Sequence, residues 1–153
     1  MLTPVPAAAV SPESDPADVE RRAAALALVA QDHRRLAVRW EALIMAIEVE
    51  DDAAIVRDCI VSLISCARDH FVNEEWAMRT LAAPEYLTHK AEHVRLLRDA
   101  GDMLKNFDAA FTPADWTAVA AFFRHWICSH HSRWDDALFA RLPVPTGGAA
   151  PAA

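Results

Sequence analysis

Histidine and carboxylate side chains recur four residues apart in the middle of the chain, which is a spacing suited to metal binding. His70 and Glu74 form one such pair, and His89 and His93 form a second. Residues four apart lie above one another on a helix face, so both side chains of a pair can reach one ion. Either pair alone is a weak signal, since soluble helices carry such pairs by chance. Together the two pairs favour a metal site.

Two more histidines, His33 and His130, stand at positions where apolar residues otherwise recur in steps of three and four. Each taken alone is more often a hydrogen-bonded core histidine than a ligand. A buried imidazole or carboxylate without a partner lowers the stability of the fold by roughly several kcal/mol. Polar groups in a core must therefore pair with one another or bind a ligand. These two histidines and the two pairs, on four separate apolar stripes, together predict a metal centre.

The polar positions belong to four predicted helices. Asp15-Pro16 is a plausible helix start, and the first helix ends near the acidic cluster Glu48, Glu50, Asp51 and Asp52. Pro84 separates the second helix from the third, and Thr112-Pro113 predicts the start of the fourth, with Thr112 as its N-cap. The apolar stripes of the helices are Leu26, Val29, His33, Leu36, Trp40, Leu43 and Ile47; Val56, Cys59, Leu63, Ala67, His70, Glu74, Met78 and Leu81; Tyr86, His89, His93, Leu97, Ala100, Leu104 and Phe107; and Trp116, Val119, Phe123, Trp126, His130 and Trp134.

These elements predict an all-α fold, an antiparallel up-down-up-down four-helix bundle. Helices of about 25 residues joined by short connections pack as antiparallel neighbours. The 153 residues suffice for one hydrophobic core, so we expect a single domain over residues 16–142. Residues 1–15 and 143–153 are rich in alanine and proline, and we expect both to be disordered tails.

Composition excludes several classes of function. The net charge of -7 argues against binding nucleic acid. No apolar run approaches the roughly 18 residues of a membrane span, and the first residues do not resemble a secretory signal, so we expect a cytoplasmic protein without membrane insertion. Three cysteines, Cys59, Cys66 and Cys128, without a C-x-x-C spacing are interpreted as reduced core thiols.

The order of these motifs resembles the bacterial hemerythrin signature over about residues 28 to 138. The resemblance rests on His33, then H-F-x-x-E-E-x-x-M from His70, H-x-x-x-H from His89, and W-I-x-x-H-x-x-x-x-D from Trp126 to Asp135. It implies a four-helix domain that binds dioxygen reversibly at two iron ions joined by an oxo or hydroxo bridge. The spacing is as specific as the residue types.

The resemblance also implies a role for each ligand. His89, His93 and His130 would bind one iron, His33 and His70 the other, and Glu74 and Asp135 would bridge both ions. Two six-coordinate ions offer twelve positions, and these ligands with the shared oxygen fill all but one. The open position belongs to the iron with two histidines, where dioxygen would bind. We expect Ile127, Phe71 and Trp126 to line its apolar pocket, with Trp134 as a further wall residue.

The last motif has two registers, because His131 and Asp136 repeat the spacing of His130 and Asp135. His130 continues the stripe of Phe123 and Trp126, whereas His131 is rotated about 100° toward the flank, so we choose His130. Five residues turn a regular α-helix through about 500°, which separates Asp135 from His130 by about 140°. We therefore predict a π-type turn near residues 130 to 135.

Two other classes of function compete with oxygen carriage. Oxidases with four-helix di-iron sites have carboxylate-rich ligands and Glu-x-x-His motifs, which this chain lacks, so we expect no enzyme, although weak oxidase or peroxidase activity is an alternative. The second alternative is a module that senses oxygen, redox state or nitric oxide, or that handles iron. We expect a monomer whose partner is dioxygen, and an oxygen-consuming protein as a further candidate partner. His125 lies off the stripe and is interpreted as a solvated residue.

Overall fold

The computed structural model describes residues 15–49, 52–110 and 112–136, and the two terminal segments predicted as tails lie almost wholly outside this part of the chain. The described chain is all-helical, as predicted. Its helices are α1 (Pro16–Glu48), α2 (Ala53–Thr80), α3 (Tyr86–Ala110) and α4 (Trp116–His130). A 3₁₀ turn, Pro113–Asp115, precedes α4, and a π-helical turn, His131–Asp135, follows it.

The helix starts depend on short polar side chains. The carboxylate of Asp15 accepts a hydrogen bond from the backbone N–H of Ala17, as predicted for an N-cap, and Asp52 accepts one from Ala54. The predicted cap at Thr112 is wrong. There the carboxylate of Asp115 accepts hydrogen bonds from the backbone N–H and the hydroxyl of Thr112, and the 3₁₀ turn delays the start of α4.

The helices form a ring, in which α1 packs against α2, α2 against α3, and α4 against both α1 and α3. This is the arrangement of a four-helix bundle. The lengths differ from the uniform 25 residues predicted, since α1 has 33 residues and α4 has 15 before the π turn. Among the described residues, no helix has an apolar stretch long enough to cross a bilayer.

Two apolar clusters lie on either side of a layer of mostly buried polar residues, which we call the polar layer. It consists of His33, His70, Glu74, His89, His93, His130 and Asp135. The larger cluster includes Leu43, Leu63 and Phe123, and the smaller one consists of Ala25, Val29 and Ala77. The chain runs from the polar layer into the larger cluster along α1 and α3, and from the larger cluster into the polar layer along α2 and α4. This alternation agrees with an up-down-up-down order, which itself stays a prediction.

The cysteines do not share one environment. Cys66 is buried in the larger cluster, where burial raises the pKa of its thiol, and Cys59 is partly buried against that cluster. Cys128 is exposed, so its prediction as a core thiol is wrong. The stripe of α4 passes through Phe123, Trp126 and His130, and Cys128 lies off it. None of the three forms a disulfide.

Candidate metal centre

The polar layer contains all seven side chains predicted as metal ligands. Six of them are buried, and the seventh, His33, has 22% of its side chain exposed. The four helices and the π turn all contribute. The seven residues are His33 from α1, His70 and Glu74 from α2, His89 and His93 from α3, His130 from α4 and Asp135 from the π turn.

The end of α4 resolves the ambiguity of register. His130 is 4% exposed, whereas the His131 side chain is 49% exposed. The predicted π turn is present at His131–Asp135. Because this wider turn changes the angle between successive side chains, Asp135 lies inside the bundle with its Oδ1 3.1 Å from Nε2 of His130. A regular helix would have directed Asp135 toward solvent.

The carboxylate of Asp135 lies between two groups of histidines. Its Oδ2 is 3.0 Å from Nε2 of His33 and 3.8 Å from Nε2 of His70. Its Oδ1 is 3.1 Å from Nε2 of His130 and 3.7 Å from Nε2 of His89. Each oxygen therefore faces a different pair of the predicted histidine ligands, which is an arrangement suited to a bridging carboxylate.

The carboxylate of Glu74 occupies the middle of the same layer. Its Oε2 is 3.2 Å from Nε2 of His93 and 3.6 Å from Nε2 of both His70 and His89. Nε2 of His130 lies 3.7 Å from the same oxygen. Glu74 is fully buried, and the ionisable groups that act most strongly on its charge are His130, His93, Asp135 and His70.

The closest pairs of potential ligand atoms have the separations expected around one metal ion. Metal–ligand bonds of about 2.1 Å place adjacent ligands of an octahedral ion about 3.0 Å apart and opposite ligands about 4.2 Å apart. The closest pairs measured here lie at 3.0–3.2 Å, and the others at up to 3.8 Å. In two buried groups the ligand atoms all lie within 4.8 Å of one another, namely Glu74, His89, His93 and His130, and His70, Glu74, His130 and Asp135.

The electrostatics of the layer favour charged carboxylates. Burial by itself raises the pKa of Asp135 and Glu74, but the neighbouring imidazoles, chiefly His130, hold the pKa of both carboxyls below the usual range. Burial lowers the pKa of His89 to about 4, so this imidazole is neutral at pH 7. Burial also acts to lower the pKa of His130, yet the two carboxylates raise it to about 9.

The buried donors and acceptors do not satisfy one another by hydrogen bonding. Among the described residues, both oxygens of Glu74, Oδ1 of Asp135, Nε2 of His93 and both ring nitrogens of His70 find no partner that meets hydrogen-bond geometry. Orphaned polar groups of this kind are costly in a protein interior. Nitrogen and oxygen donors clustered around a common centre fit a metal ion, which would satisfy several of them at once.

Glu75, for which no role was predicted, orients one of the predicted histidine ligands. Oε1 of Glu75 lies 3.2 Å from Nδ1 of His93, and its Oε2 accepts a 2.6 Å hydrogen bond from Lys90. A partner on the second ring nitrogen fixes the orientation and tautomer of a ligating imidazole. Burial acts to raise the pKa of Glu75, but the hydrogen bonds from Lys90 and His93 lower it, so Glu75 is ionised and accepts from His93.

The buried carboxylate Asp32 also escaped prediction. It precedes His33, is 1% exposed, and accepts hydrogen bonds from Nδ2 of Asn73 at 2.7 Å and from Arg35 at 3.0 Å. The bond from Asn73 links α1 to α2 next to the polar layer. The burial of Asp32 depends on the neighbouring helix, and no pattern within α1 indicates it.

An apolar cavity of about 270 Å³ opens beside the layer between α1 and α4. The predicted pocket residues Ile127, Phe71 and Trp126 all line it, together with Leu36, Ala37, Trp40, His33, His130, His131 and Asp135. Trp134 does not line this cavity, which differs from the expectation. Its ring stacks instead on His89, with ring centroids 5.1 Å apart.

No protein-family model, curated protein or solved structure matches the chain. The site geometry and the sequence pattern are therefore the grounds for any functional conclusion. What they establish together is an all-helical protein with a buried histidine and carboxylate cluster able to hold a metal ion.

Proposed function

We propose that this chain is a hemerythrin-type protein that binds dioxygen reversibly at two iron ions. The observation that carries the proposal is the position of Asp135, whose two oxygens face separate pairs of the predicted histidine ligands. A carboxylate that serves one ion has no need of histidines at both oxygens. Oε2 of Glu74 lies 3.2 Å from Nε2 of His93, 3.6 Å from Nε2 of His70 and 3.7 Å from Nε2 of His130, which supports Glu74 as a second bridging carboxylate.

In this proposal each helix holds part of the centre. His89, His93 and His130 hold one ion, His33 and His70 hold the other, and Glu74 and Asp135 bridge them. Two iron ions bound there would supply the electrons for reversible dioxygen binding. Imidazole and carboxylate ligands suit iron, and the fixed pairs on α2 and α3 orient four of the ligands before any ion binds.

The cavity supports small-ligand binding. Its lining joins the aromatic and aliphatic side chains of Phe71, Trp126 and Ile127 to the ligand atoms of His33 and Asp135. Trp126 donates its Nε1 hydrogen to the carbonyl of Leu96, 2.8 Å away, so the polar edge of this ring is satisfied inside the core. The aromatic and aliphatic lining limits water and proton supply, and that condition favours the release of intact dioxygen over its reduction.

The ligand set favours a carrier over an oxidase. Five histidines and two carboxylates make up the layer, whereas the oxidase-type sites built on Glu-x-x-His motifs are rich in carboxylates. Transport, storage, delivery and sensing are all uses of the bound gas that this ligand set allows.

The test is oxygen cycling on the full chain. Purified protein is loaded with ferrous iron without air, its iron content is measured, and oxygen is then admitted and removed while the visible spectrum is followed. We expect two irons per chain and a charge-transfer band that appears with oxygen and disappears on its removal. His125→Ala, at an exposed position of α4, is the matched control and should behave as the wild type, whereas His130→Ala should not form the band.

A band that fails to form in protein holding two irons per chain would overturn oxygen binding and leave the di-iron site standing. Rapid, irreversible oxidation with consumption of an added reductant would favour the oxidase alternative. Protein that holds fewer than two irons per chain would contradict the di-iron centre itself.

A further inference from the structure

His131 is a sixth histidine at the edge of the polar layer. It is the first residue of the π turn and stands four residues before Asp135. Its Nδ1 lies 3.2 Å from Oδ2 of Asp135, and its ring centroid is 4.7 Å from that of His33. No role in the proposed centre uses this residue, although its Nδ1 lies closer to the Asp135 carboxylate than Nε2 of His70 or His89 does.

The same oxygen of Asp135 also faces His33. Nε2 of His33 and Nδ1 of His131 lie 3.0 Å and 3.2 Å from Oδ2 of Asp135, and ligand atoms of these three residues all lie within 4.8 Å of one another. Adjacent ligands of an octahedral ion with bonds of about 2.1 Å are about 3.0 Å apart. An ion held by His33 and Asp135 would therefore have the ring nitrogen of His131 beside it.

We propose that His131 is a reversible sixth histidine ligand that occupies the coordination position otherwise open to an external ligand. This inference rests on the proposed di-iron function, in which the ion held by His33 and His70 lacks one ligand. With His131 bound, each ion has three histidines and both are coordinatively filled. External ligands must then compete with an internal imidazole, so His131 regulates their binding.

The surroundings of His131 allow its ring to bind and to leave. Half of its side chain is exposed, so no packed core must open when it moves. It lines the same cavity as His33, Ile127 and Asp135, which places it beside the path of an entering ligand. Its Nε2 is 3.7 Å from Oδ1 of exposed Asp136, which gives the ring a second polar neighbour on its solvent side.

The experiment is an azide titration of the diferric protein, followed by its visible spectrum. Azide is a small anionic ligand that needs an open ferric position. Wild type, His131→Ala, His131→Gln and the control His125→Ala are compared after the iron content and the thermal unfolding of each have been measured. If His131 fills the position in about nine chains of ten, its removal makes azide bind about tenfold more tightly, since apparent affinity scales with the competent fraction.

We expect both His131 variants to keep two irons per chain and to bind azide about tenfold more tightly, with His125→Ala equal to the wild type. Equal or weaker azide binding by the His131 variants, in proteins that hold two irons, would overturn this inference while the proposed function stands. Absence of two irons from the wild type would overturn both.

Discussion

Asp135 is the residue on which the proposed centre depends most. It is 2% exposed, and each of its oxygens faces two imidazoles of the layer. The sequence motif includes it only at a spacing of five, which a regular helix does not accommodate. Its neighbour Asp136 has 63% of its side chain exposed, so the chain contains a matched carboxylate outside the layer.

Replacing Asp135 by asparagine is expected to weaken iron binding sharply. The amide keeps the shape of the side chain but removes the charge that balances the ions and one of the two bridging oxygens. Changes in groups that merely support metal ligands lower affinity by about 10- to 100-fold, so loss of a ligand should cost at least about tenfold. Iron per chain after loading and desalting is the measurement.

The exposed Asp136→Asn variant is the control and should retain two irons per chain. Equal iron content in both variants would remove Asp135 from the ligand set, because the two substitutions make the same chemical change one residue apart.

His130 gives metal uptake a defined pH dependence. The two carboxylates of the layer raise its pKa to about 9, so its imidazole is protonated at pH 7, while a metal ion binds the neutral ring. An ion must therefore displace this proton. Uptake should release protons, and affinity should increase with pH, by about tenfold per unit for each proton released, from about pH 6 to about pH 8.

Calorimetric titration of apo protein with Co²⁺, in buffers of different ionisation enthalpy, measures this release without oxidation of the metal. His130→Ala should release about one proton fewer. Affinity that is independent of pH, or that falls as pH rises, would show that His130 does not give up a proton to the ion.

At the scale of the elements, the π turn is the feature that completes the site. The conflict between the spacing of His130 and Asp135 and the geometry of an α-helix predicted this turn, and the structure has it at His131–Asp135. The pairs on α2 and α3 were predictable for a related reason, since a spacing of four places both members on one face. Contacts that depend on a second helix, such as Glu75 with His93 and Asp32 with Asn73, have no comparable signal.

Shortening the π turn by one residue should preserve the centre. A π turn contains one residue more than the α-helical turn it replaces, so deletion of exposed Ser132 leaves His130 and Asp135 four apart on a regular helix, on one face. Insertion of one alanine after Ser132 turns Asp135 away by about 100° instead. Iron per chain and far-ultraviolet circular dichroism are the measurements.

The deletion variant should retain two irons per chain and the insertion variant should not, while both stay helical. The opposite order, or equal loss in both variants, would contradict the account of why the turn exists.

The end of α2 contains a strained residue that offers a test of stability. Ala82 has a φ of 52°, the one positive φ of a non-glycine residue in the described chain, and the N–H of Ala83 donates to the carbonyl of Met78 at 2.9 Å. This pattern belongs to helix ends at which glycine is preferred, because a Cβ in the left-handed region costs about 1–2 kcal/mol.

Ala82→Gly is therefore expected to raise the free energy of unfolding by about 1 kcal/mol, after the greater entropy that glycine has in the unfolded chain is allowed for. Chemical denaturation of the apo protein measures it. Ala83→Gly, at a position without positive φ, should lower the stability. A loss of stability in both variants would mean that the left-handed conformation of Ala82 is not strained.

At the scale of the whole molecule, the fold was predictable because its elements agree with one another. The chain has four apolar stripes at helical spacing, a proline between the second and third stripes, and few glycines. These features predict a helical bundle, and the polar positions of the stripes fall in one layer of it. What the stripes did not predict is the periphery. His131 was assigned to the flank and is exposed, yet it is four residues from Asp135, a spacing that the ligand pairs elsewhere shared.

Anomalous X-ray scattering at the iron edge, from crystals of the loaded protein, would locate any iron ions bound in this layer. We expect two iron peaks per chain, one among His89, His93 and His130 and one between His33 and His70, with Glu74 and Asp135 in contact with both. A single peak, or peaks outside the polar layer, would contradict this expectation.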